Sequence, residues 1–480
     1  MVAARSGHRS SFRDPDGSVH LTSSKVFRSV SSEAAPGLTE FLATSAAREL
    51  TRSGKLIEAW TIQKREAERL RLDPLIVDES VGLLFEHPRV WFASYAYEWP
   101  PEMLHAAATL TVALCDAALT EGFGLKDATP FNVLFQGPRP IFIDLLSFEK
   151  RNPSDPRWLP YEQFVRSFVL PLLLSKELGL RADEIFLSHS DGLQPEEVYQ
   201  RLNWLKRLRP PFLGAVSIPA WLTKRVNPDD KKLYTSGRNE PPEKAKFILE
   251  MRFRKAQKLL KRSEPRDERS SVWSSYLNEL SYSSDEFNRK SELISRWTGD
   301  LKPQTVLDVG CNTGHFSEIA ARSGSKVVGI DVDAVVVGRT WQRAIERDLN
   351  ILPLVVNLAR PTPAVGWRNA EYPSFLERAA GSFEMVMMLA VLHHLLVTER
   401  IPLAEVLDVI SQLTTRYLVI EYVSREDPMF ERLTRGREHL HSHFSQEFFE
   451  AACNQQFILM EKHSVKGGLR WLYLLQKKGG

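Results

Sequence analysis

The sequence predicts an α/β fold with a doubly wound, mostly parallel sheet in its C-terminal half. Residues 305–317 read TVLDVGCNTGHFS, an apolar run that enters a glycine-rich turn and then opens a helix-like segment. Four more apolar runs follow, with helix-like segments between them, at 325–331, 351–356, 383–390 and 416–423. Apolar strands that alternate with helices are typical of a parallel sheet covered on both faces.

The turn after the first run is a candidate ligand-binding corner. Gly310, Asn312 and Gly314 are spaced by two, and Asp308 lies inside the strand. Glycine lets the backbone approach a ligand that a side chain would block. Asp331 ends the second run, at the distance where dinucleotide-binding folds place an acid for ribose hydroxyls. The spacing alone leaves two alternatives open, a dinucleotide enzyme and a tight turn without a ligand.

The chain ends in a helix and two strands, SQEFFEAACNQQ, FILMEKHSV and LRWLYLLQK. With that ending, residues 271–478 resemble the class I S-adenosylmethionine-dependent methyltransferases. VLDVGCNTG resembles their first motif, VVGIDVD the second and FEMVMMLAVLHHL the fourth. The resemblance implies a Rossmann-like seven-stranded methyltransferase sheet, closed by an antiparallel strand pair, with S-adenosylmethionine as cofactor.

The resemblance also implies which residues contact the donor. Asp308 and the turn would hold the methionyl portion, Asp331 the ribose, and Asn357 the adenine, where the family usually has an acid. The full predicted set is Asp308, Gly310, Cys311, Asn312, Gly314, Asp331, Val332, Asn357, Leu358, Leu389 and Ala390. The segment 272–297 would cover the pocket, with Tyr276, Tyr282 and Lys290 as candidates either for its lining or for ordinary packing.

The catalytic residues are less determined than the donor site. Methyl transfer is an in-line displacement, so a general base is needed only for an acceptor that must lose a proton. His393 and His394 follow the fourth strand, and Glu421 ends the fifth, so each is a candidate base. Similar HH strings also occur where no catalytic histidine is needed, and the reaction then depends on positioning alone.

The front half predicts a different, α+β domain. The sequence predicts a hairpin over 18–30, a strand over 89–97 and a helix over 102–121. After that helix come Asp127 and Asn132, five positions apart, and then Asp144 at the end of the apolar string IFID. This order is similar to that of a kinase or aminoglycoside-phosphotransferase-like domain, in which these side chains serve as base and Mg²⁺ ligands. Alternatively, Asp127 caps a turn and Asn132 bonds backbone.

The kinase-like pattern is incomplete in this chain. Leu125 stands where a histidine is usual, no glycine-rich phosphate loop is evident, and Arg28 is the nearest candidate for the phosphate-binding lysine. We therefore expect a kinase-like fold with little or no phosphoryl transfer. The strings SYAYEW, LKDATPFN and FIDLLSFE, together with the rear half, resemble a recurring bacterial two-module architecture whose acceptor is undetermined.

Length and composition set outer limits. The 480 residues suffice for two or three domains, and the net charge of +3 requires no polyanionic partner. The cysteines match no metal spacing, so we predict no metal site, and they indicate a reducing, cytoplasmic compartment. The N-terminus lacks the apolar core of a signal peptide, and no apolar run reaches membrane-spanning length.

The expected organisation is a disordered tail, a kinase-like domain, a basic helix with a linker, and a methyltransferase domain. These occupy 1–12, 13–235, 236–271 and 272–480. The basic helix at 243–262 could bind nucleic acid or a membrane surface, although a solvated face over the domain junction is the favoured interpretation. We expect the chain to divide near 236–271 into two independently folded parts.

The sequence thus predicts a methyltransferase whose unidentified acceptor is selected with the help of the front half. Two alternatives remain, a bifunctional methyltransferase and phosphotransferase, and a non-catalytic scaffold that binds S-adenosylmethionine. A small molecule, a glycan, a protein or, with less support, RNA all remain open as the acceptor.

Overall fold

A computed structural model describes residues 11–22, 25–69, 81–223, 239–266 and 284–479. Most of the expected tail, parts of the linker, and Tyr276 and Tyr282 lie outside the described residues.

The front half opens with a four-stranded antiparallel sheet in the order β1-β2-β4-β3. Its strands are β1 (Gly17–Leu21), β2 (Val26–Ser31), β3 (Trp60–Thr61) and β4 (Val81–His87). Two short antiparallel pairs follow, β5 with β8 and β6 with β7. Their bounds are β5 (Phe123–Leu125), β6 (Val133–Gln136), β7 (Arg139–Phe142) and β8 (Phe148–Lys150). The predicted β1–β2 hairpin is confirmed.

The helices of this half include the long helix α4, which the sequence predicts almost to the residue. They are α1 (Ala35–Leu42), α2 (Ser45–Arg52), α3 (Lys64–Arg69), α4 (Pro101–Thr120), α5 (Tyr161–Phe164), α6 (Leu170–Leu178), α7 (Ala182–Ser188), α8 (Pro195–Arg201), α9 (Trp204–Leu208), α10 (Ile218–Thr223) and α11 (Pro242–Ser263). Helix α4 is long and apolar enough to cross a membrane by length and composition, but more than half of its apolar window is buried within the protein.

One strand prediction in the front half is wrong. Residues 89–97 form a loop that ends in a 3₁₀ turn, Ala96–Glu98, rather than a strand. Their aromatic side chains pack across the junction between the halves, where the Tyr95 and Tyr372 ring centroids lie 5.1 Å apart. Aromatic content favours a strand in the sequence, but these tertiary contacts override that preference.

The C-terminal half contains the predicted seven-stranded sheet, in the order β11-β10-β9-β12-β13-β15-β14. Its strands are β9 (Thr305–Val309), β10 (Lys326–Asp331), β11 (Ile351–Val355), β12 (Phe383–Met388), β13 (Thr414–Val423), β14 (Phe457–Lys466) and β15 (Arg470–Lys477). The first five are parallel and the last two pair antiparallel, as expected.

Helices cover both faces of this sheet. They are α12 (Ser284–Leu301), α13 (His315–Arg322), α14 (Ala334–Glu346), α15 (Phe375–Ala379), α16 (Leu392–Val397), α17 (Leu403–Leu413), α18 (Pro428–Thr434) and α19 (Gln446–Gln456). Strand side chains alternate between the faces, so Val306 packs towards one cluster with α12, whereas Leu307 packs into the other.

The second cluster joins the two halves. It contains Phe92 and Met103 of the front half together with Leu307 and Phe383 of the sheet. The buried Arg378 pairs with the fully buried Glu98, which also accepts a hydrogen bond from Thr362 Oγ1 at 2.5 Å. The expected division near 236–271 stays a prediction, but the two halves share one hydrophobic core.

Candidate active site

The glycine-rich turn lies at the carboxyl edge of the sheet, between β9 and α13. Gly310 N and Cys311 N donate to Ile330 O of β10 at 2.8 and 3.0 Å, so the turn is fixed to the neighbouring strand. Asn312 has a φ of 49°, and its Oδ1 accepts from Thr313 N at 2.7 Å. A short polar side chain tolerates this left-handed conformation. The turn therefore exposes backbone at the strand ends.

Two glycines in this turn are required by geometry. Gly310 has a φ of 73°, and a Cβ there would overlap Val391. Gly314 has a φ of 79° and precedes α13, and a Cβ there would collide with Thr340. Thr340 Oγ1 in turn donates to Asn312 O at 2.8 Å. Neighbouring segments thus approach the turn closely from two sides.

The Asp331 carboxylate ends β10 and faces the same edge. Its Oδ2 accepts from Asn312 N and its Oδ1 from Asp333 N, both at 3.0 Å. Each carboxylate oxygen can accept a second hydrogen bond, so two acceptor positions remain for a ligand. Removal from water raises the pKa of Asp331 to about 6, because burial disfavours the charged form.

Asp308 supports the turn from behind. Its side chain is buried, and its Oδ2 accepts from Ser317 Oγ of α13 at 2.6 Å. Burial raises the pKa of Asp308 to about 6, against the opposing effect of the Ser317 hydrogen bond. Burial also raises the pKa of the Cys311 thiol well above its ordinary value, so this thiol is neutral and behaves as a small apolar group.

A cavity of about 320 Å³ opens where these strands end. Nine of the eleven predicted donor residues line it, namely Gly310, Cys311, Asn312, Asp331, Val332, Asn357, Leu358, Leu389 and Ala390. Asp308 and Gly314 are not among the lining residues and act through the shape of the turn. The volume lies at the lower end of the range for small-molecule sites, so a single ligand would fill much of it.

Sequence reasoning missed part of the lining. Phe287, His315 and Phe316 form an aromatic wall, with the Phe287 and His315 ring centroids 4.6 Å apart. His315 and Phe316 occupy the first turn of α13 directly after Gly314. The glycine-rich motif indicates that this turn lies beside the ligand. Thr398 and Glu399 complete the rim, and they follow α16 with no sequence signal of their own.

The two candidate histidines differ in position. His394 lines the cavity, whereas His393 is 1% exposed and is not among the lining residues. Burial lowers the pKa of both rings, that of His393 well below its ordinary value. Both are therefore neutral at pH 7, and only His394 borders the space where a ligand would lie.

Glu421 is fully buried beside the cavity and forms an ion pair with Lys290. Lys290 Nζ lies 2.5 Å from Glu421 Oε2, and Lys290, which the sequence left open between pocket lining and ordinary packing, lines the cavity. Arg470 lies behind them and pairs with the buried Asp427 at 2.8 Å. Burial lowers the pKa of Lys290, while Glu421 opposes that shift. The carboxylate thus acts on the cavity through the lysine.

The kinase-like residues of the front half also lie near one another. Ile143 N, next to Asp144, donates to Asn132 O at 2.9 Å. Asp144 Oδ1 pairs with Arg28 at 3.1 Å, and Asp127 Oδ1 accepts from Gln163 at 3.2 Å. Within the described ranges, no group of three or more His, Cys, Asp or Glu side chains is arranged to hold a metal ion.

Similar sequences occur among known proteins. Residues 250–457 match the family described as a methyltransferase domain. Nodulation protein NoeA of Rhizobium meliloti strain 1021 is 29% identical over 471 residues, which is 97% of this chain and 95% of that protein.

Among solved structures, the N-methyltransferase NodS of Bradyrhizobium japonicum WM9 matches at 16% identity with a TM-score of 0.30. The match covers 40% of this chain and 97% of the NodS chain. The bifunctional kinase-methyltransferase WbdD matches at 19% identity with a TM-score of 0.31, over 43% of this chain and 46% of its own.

The methyltransferase-domain match spans the turn, the Asp331 carboxylate and the cavity that they border. The protein is an S-adenosylmethionine-dependent methyltransferase.

Proposed function

We propose that the cavity at the carboxyl edge of the sheet holds S-adenosylmethionine, with Asp331 accepting hydrogen bonds from both ribose hydroxyls. The position of Asp331 carries this assignment, since each of its oxygens keeps one acceptor position beside the cavity. The turn around Gly310 would hold the methionyl end. Asn357 Oδ1 accepts from Ala359 N at 2.9 Å and has a second lone pair for the adenine amine.

The donor, when bound, supplies an electrophilic methyl group on a positively charged sulfur. The protein aligns this group with the acceptor, and alignment alone can contribute much of the acceleration in a displacement reaction. The aromatic wall and Leu389 line the cavity and would exclude water from the methionyl end of a bound donor. Access of the acceptor and removal of its proton depend on the side chains at the rim of the cavity.

We propose that the acceptor reaches the donor past His394, Thr398 and Glu399. His394 is neutral at pH 7, because burial lowers its pKa, and it can take a proton from a hydroxyl or an ammonium group. Of the three candidate bases from the sequence, His394 has the most favourable position. Glu421 would instead orient Lys290, which can donate to an acceptor oxygen or nitrogen.

The acceptor can be identified by mass spectrometry of cell extract incubated with the enzyme and isotope-labelled donor. We expect one compound class, which is a small molecule, a glycan, a protein or RNA, to gain labelled methyl groups. The Asp331→Ala variant is the control, and a labelled product that persists with it would contradict the donor-site assignment.

We propose further that the front half has a kinase-like fold that serves the acceptor or the scaffold and does not transfer phosphate. The ion pair between Arg28 and Asp144 supports this, because a cation already occupies the carboxylate that would hold Mg²⁺. Arg28 also donates to Ile143 O at 3.2 Å. This half would thus contribute a surface beside the methyltransferase domain.

The test is a thermal-shift measurement with ATP and Mg²⁺. We expect no rise in Tm, and we expect Asp127→Asn to leave methyl transfer nearly unchanged. A Mg²⁺-dependent rise that Asp144→Ala abolishes would refute the proposal and support a bifunctional enzyme. An Arg28→Met variant tests whether a nucleotide site persists beneath the ion pair. Removal of the guanidinium would allow ATP and Mg²⁺ to bind only if the fold retains the rest of that site.

A further inference from the structure

The outer face of α11 combines exposed apolar side chains with a dense positive charge. Phe247 is 60% and Met251 47% exposed, and Arg254, Lys255, Lys258 and Lys261 follow on the same side of the helix. These six residues are the α11 face. The helix contains eight Lys or Arg and two Glu, so it has a net charge of +6 while the whole chain has +3.

This face is not part of the protein core. The opposite side of α11, with Leu249, Phe253 and Leu260, is buried, and the helix packs against α4 and α6. Among the described residues, none of the four cations of the α11 face forms an ion pair within 4 Å. The fold therefore fixes the orientation of the helix and presents the α11 face outward.

A second exposed patch lies near the end of α11. It consists of Trp204, Leu205 and Leu208 on α9, with exposures of 68%, 44% and 54%, and is called the α9 patch. Both elements contact the end of α6, since Lys176 Nζ donates to Arg262 O at 2.8 Å and Lys206 Nζ donates to Glu177 O at 2.7 Å. The helices that carry the α11 face and the α9 patch therefore meet at the same end of α6.

We propose that the α11 face and the α9 patch bind an anionic lipid bilayer. Large apolar side chains that remain exposed on a folded protein mark interaction sites. Juxtaposed lysines attract the negative surface of a bilayer, and tryptophan and leucine enter its interfacial layer. The charge complements an anionic surface, and the apolar groups complement the lipid beneath it.

A nucleic-acid partner accounts for fewer of these features. Phosphate binding uses the cations, and bases stack on aromatic rings, but the aliphatic Met251, Leu205 and Leu208 have no role in either contact. A bilayer uses all of them. The enzyme would then work at a membrane surface, where its acceptor can be presented by lipid.

Flotation of the full-length protein with vesicles tests this proposal. Phosphatidylcholine vesicles containing phosphatidylglycerol should carry the protein upward, and phosphatidylcholine alone should not. The Lys258→Glu/Lys261→Glu variant should bind the anionic vesicles roughly tenfold more weakly or worse. Phe247→Ser/Met251→Ser should also lose binding, because the apolar contribution is independent of charge.

The control is Lys55→Glu/Lys302→Glu, which changes the net charge equally at exposed lysines that belong to neither the α11 face nor the α9 patch. It should float like the wild type, and all variants should keep the Tm and the donor affinity of the wild type. Failure of the wild type to float, or equal loss in the control, would overturn the proposal. Tight binding of a mixed-sequence RNA that survives Phe247→Ser/Met251→Ser would also overturn it in favour of nucleic acid.

Discussion

The Asp331 carboxylate is the single side chain on which donor affinity should depend most. Its two free acceptor positions allow two charge-assisted hydrogen bonds to a ribose. We expect Asp331→Ala to lower donor affinity by roughly 2–4 kcal/mol, as measured by calorimetry. Asp348→Asn is the matched control, because Asp348 is an exposed aspartate far from the cavity and should bind donor like the wild type. Unchanged affinity in Asp331→Ala would remove the ribose assignment.

Donor affinity should also depend on pH. The pKa of Asp331 is raised to about 6, and only the ionised carboxylate accepts from both hydroxyls. Binding therefore holds Asp331 deprotonated, so affinity is full above pH 7 and falls as the pH drops through about 6. At pH 5 we expect about tenfold weaker binding by calorimetry.

The Asp331→Asn variant identifies the group responsible for that pH dependence. Its donor affinity should be low but nearly independent of pH between 5 and 8. Asp308 also has a pKa raised to about 6, but it lies behind the turn, bonded to Ser317. A full pH dependence that remains in Asp331→Asn would assign the titration to Asp308.

The glycine-rich turn as an element can be tested at Gly310. Gly310 and Gly324 both have positive φ, 73° and 97°, but only Gly310 has a neighbour, Val391, where a Cβ would lie. Alanine at either position should cost roughly 1–2 kcal/mol for the left-handed backbone. Gly310→Ala should lose more stability and also donor affinity, as measured by thermal unfolding and calorimetry.

A second substitution separates steric overlap from backbone strain. Gly310→Ala/Val391→Ala should recover part of the lost donor affinity, because the overlapping side chain is gone. Equal effects of Gly310→Ala and Gly324→Ala on stability and binding would mean that the close approach of Val391 is unimportant.

The sequence determines this half of the molecule well. Apolar runs that end in Gly310, Asp331 and Asn357 identify strand ends, and parallel strands place those ends at one edge, so nine of eleven predicted residues meet at one cavity. The aromatic wall was missed because Phe287 comes from α12, whose approach to the cavity depends on packing and not on a motif. Residues 89–97 were mistaken for a strand for a related reason, since their rings pack against Tyr372 and Phe383.

The sequence does not predict which residues of the two halves contact each other at their junction. It depends on pairs such as Trp91 with Phe383, whose ring centroids lie 5.9 Å apart although almost 300 positions separate them. The segment that follows Asn357 contains Thr362 and Tyr372, and both contact the front half. The front half thus supports the loop on the adenine side of the proposed donor site, and a structural role for it follows whether or not it binds nucleotide.

The shared core predicts that the whole molecule unfolds as one unit. Arg378 and Glu98 are buried at the junction, with exposures of 6% and 0% for their side chains, and Arg378 also donates to Ala93 O. Arg378→Met leaves the Glu98 carboxylate without its cation, which should cost about 3–5 kcal/mol of the free energy of unfolding. We expect calorimetry to show a single transition that moves as a whole to lower temperature.

The exposed ion pair between Arg139 and Asp348 supplies the control, because it also joins the halves but lies in water. Arg139→Ala should change the free energy of unfolding by less than about 1 kcal/mol, since water and salt screen such pairs. If the halves folded independently, calorimetry would show two transitions, and Arg378→Met would leave at least one of them where it was. That result would support the predicted division near 236–271 and would make the contacts of Thr362 and Tyr372 incidental to the donor site.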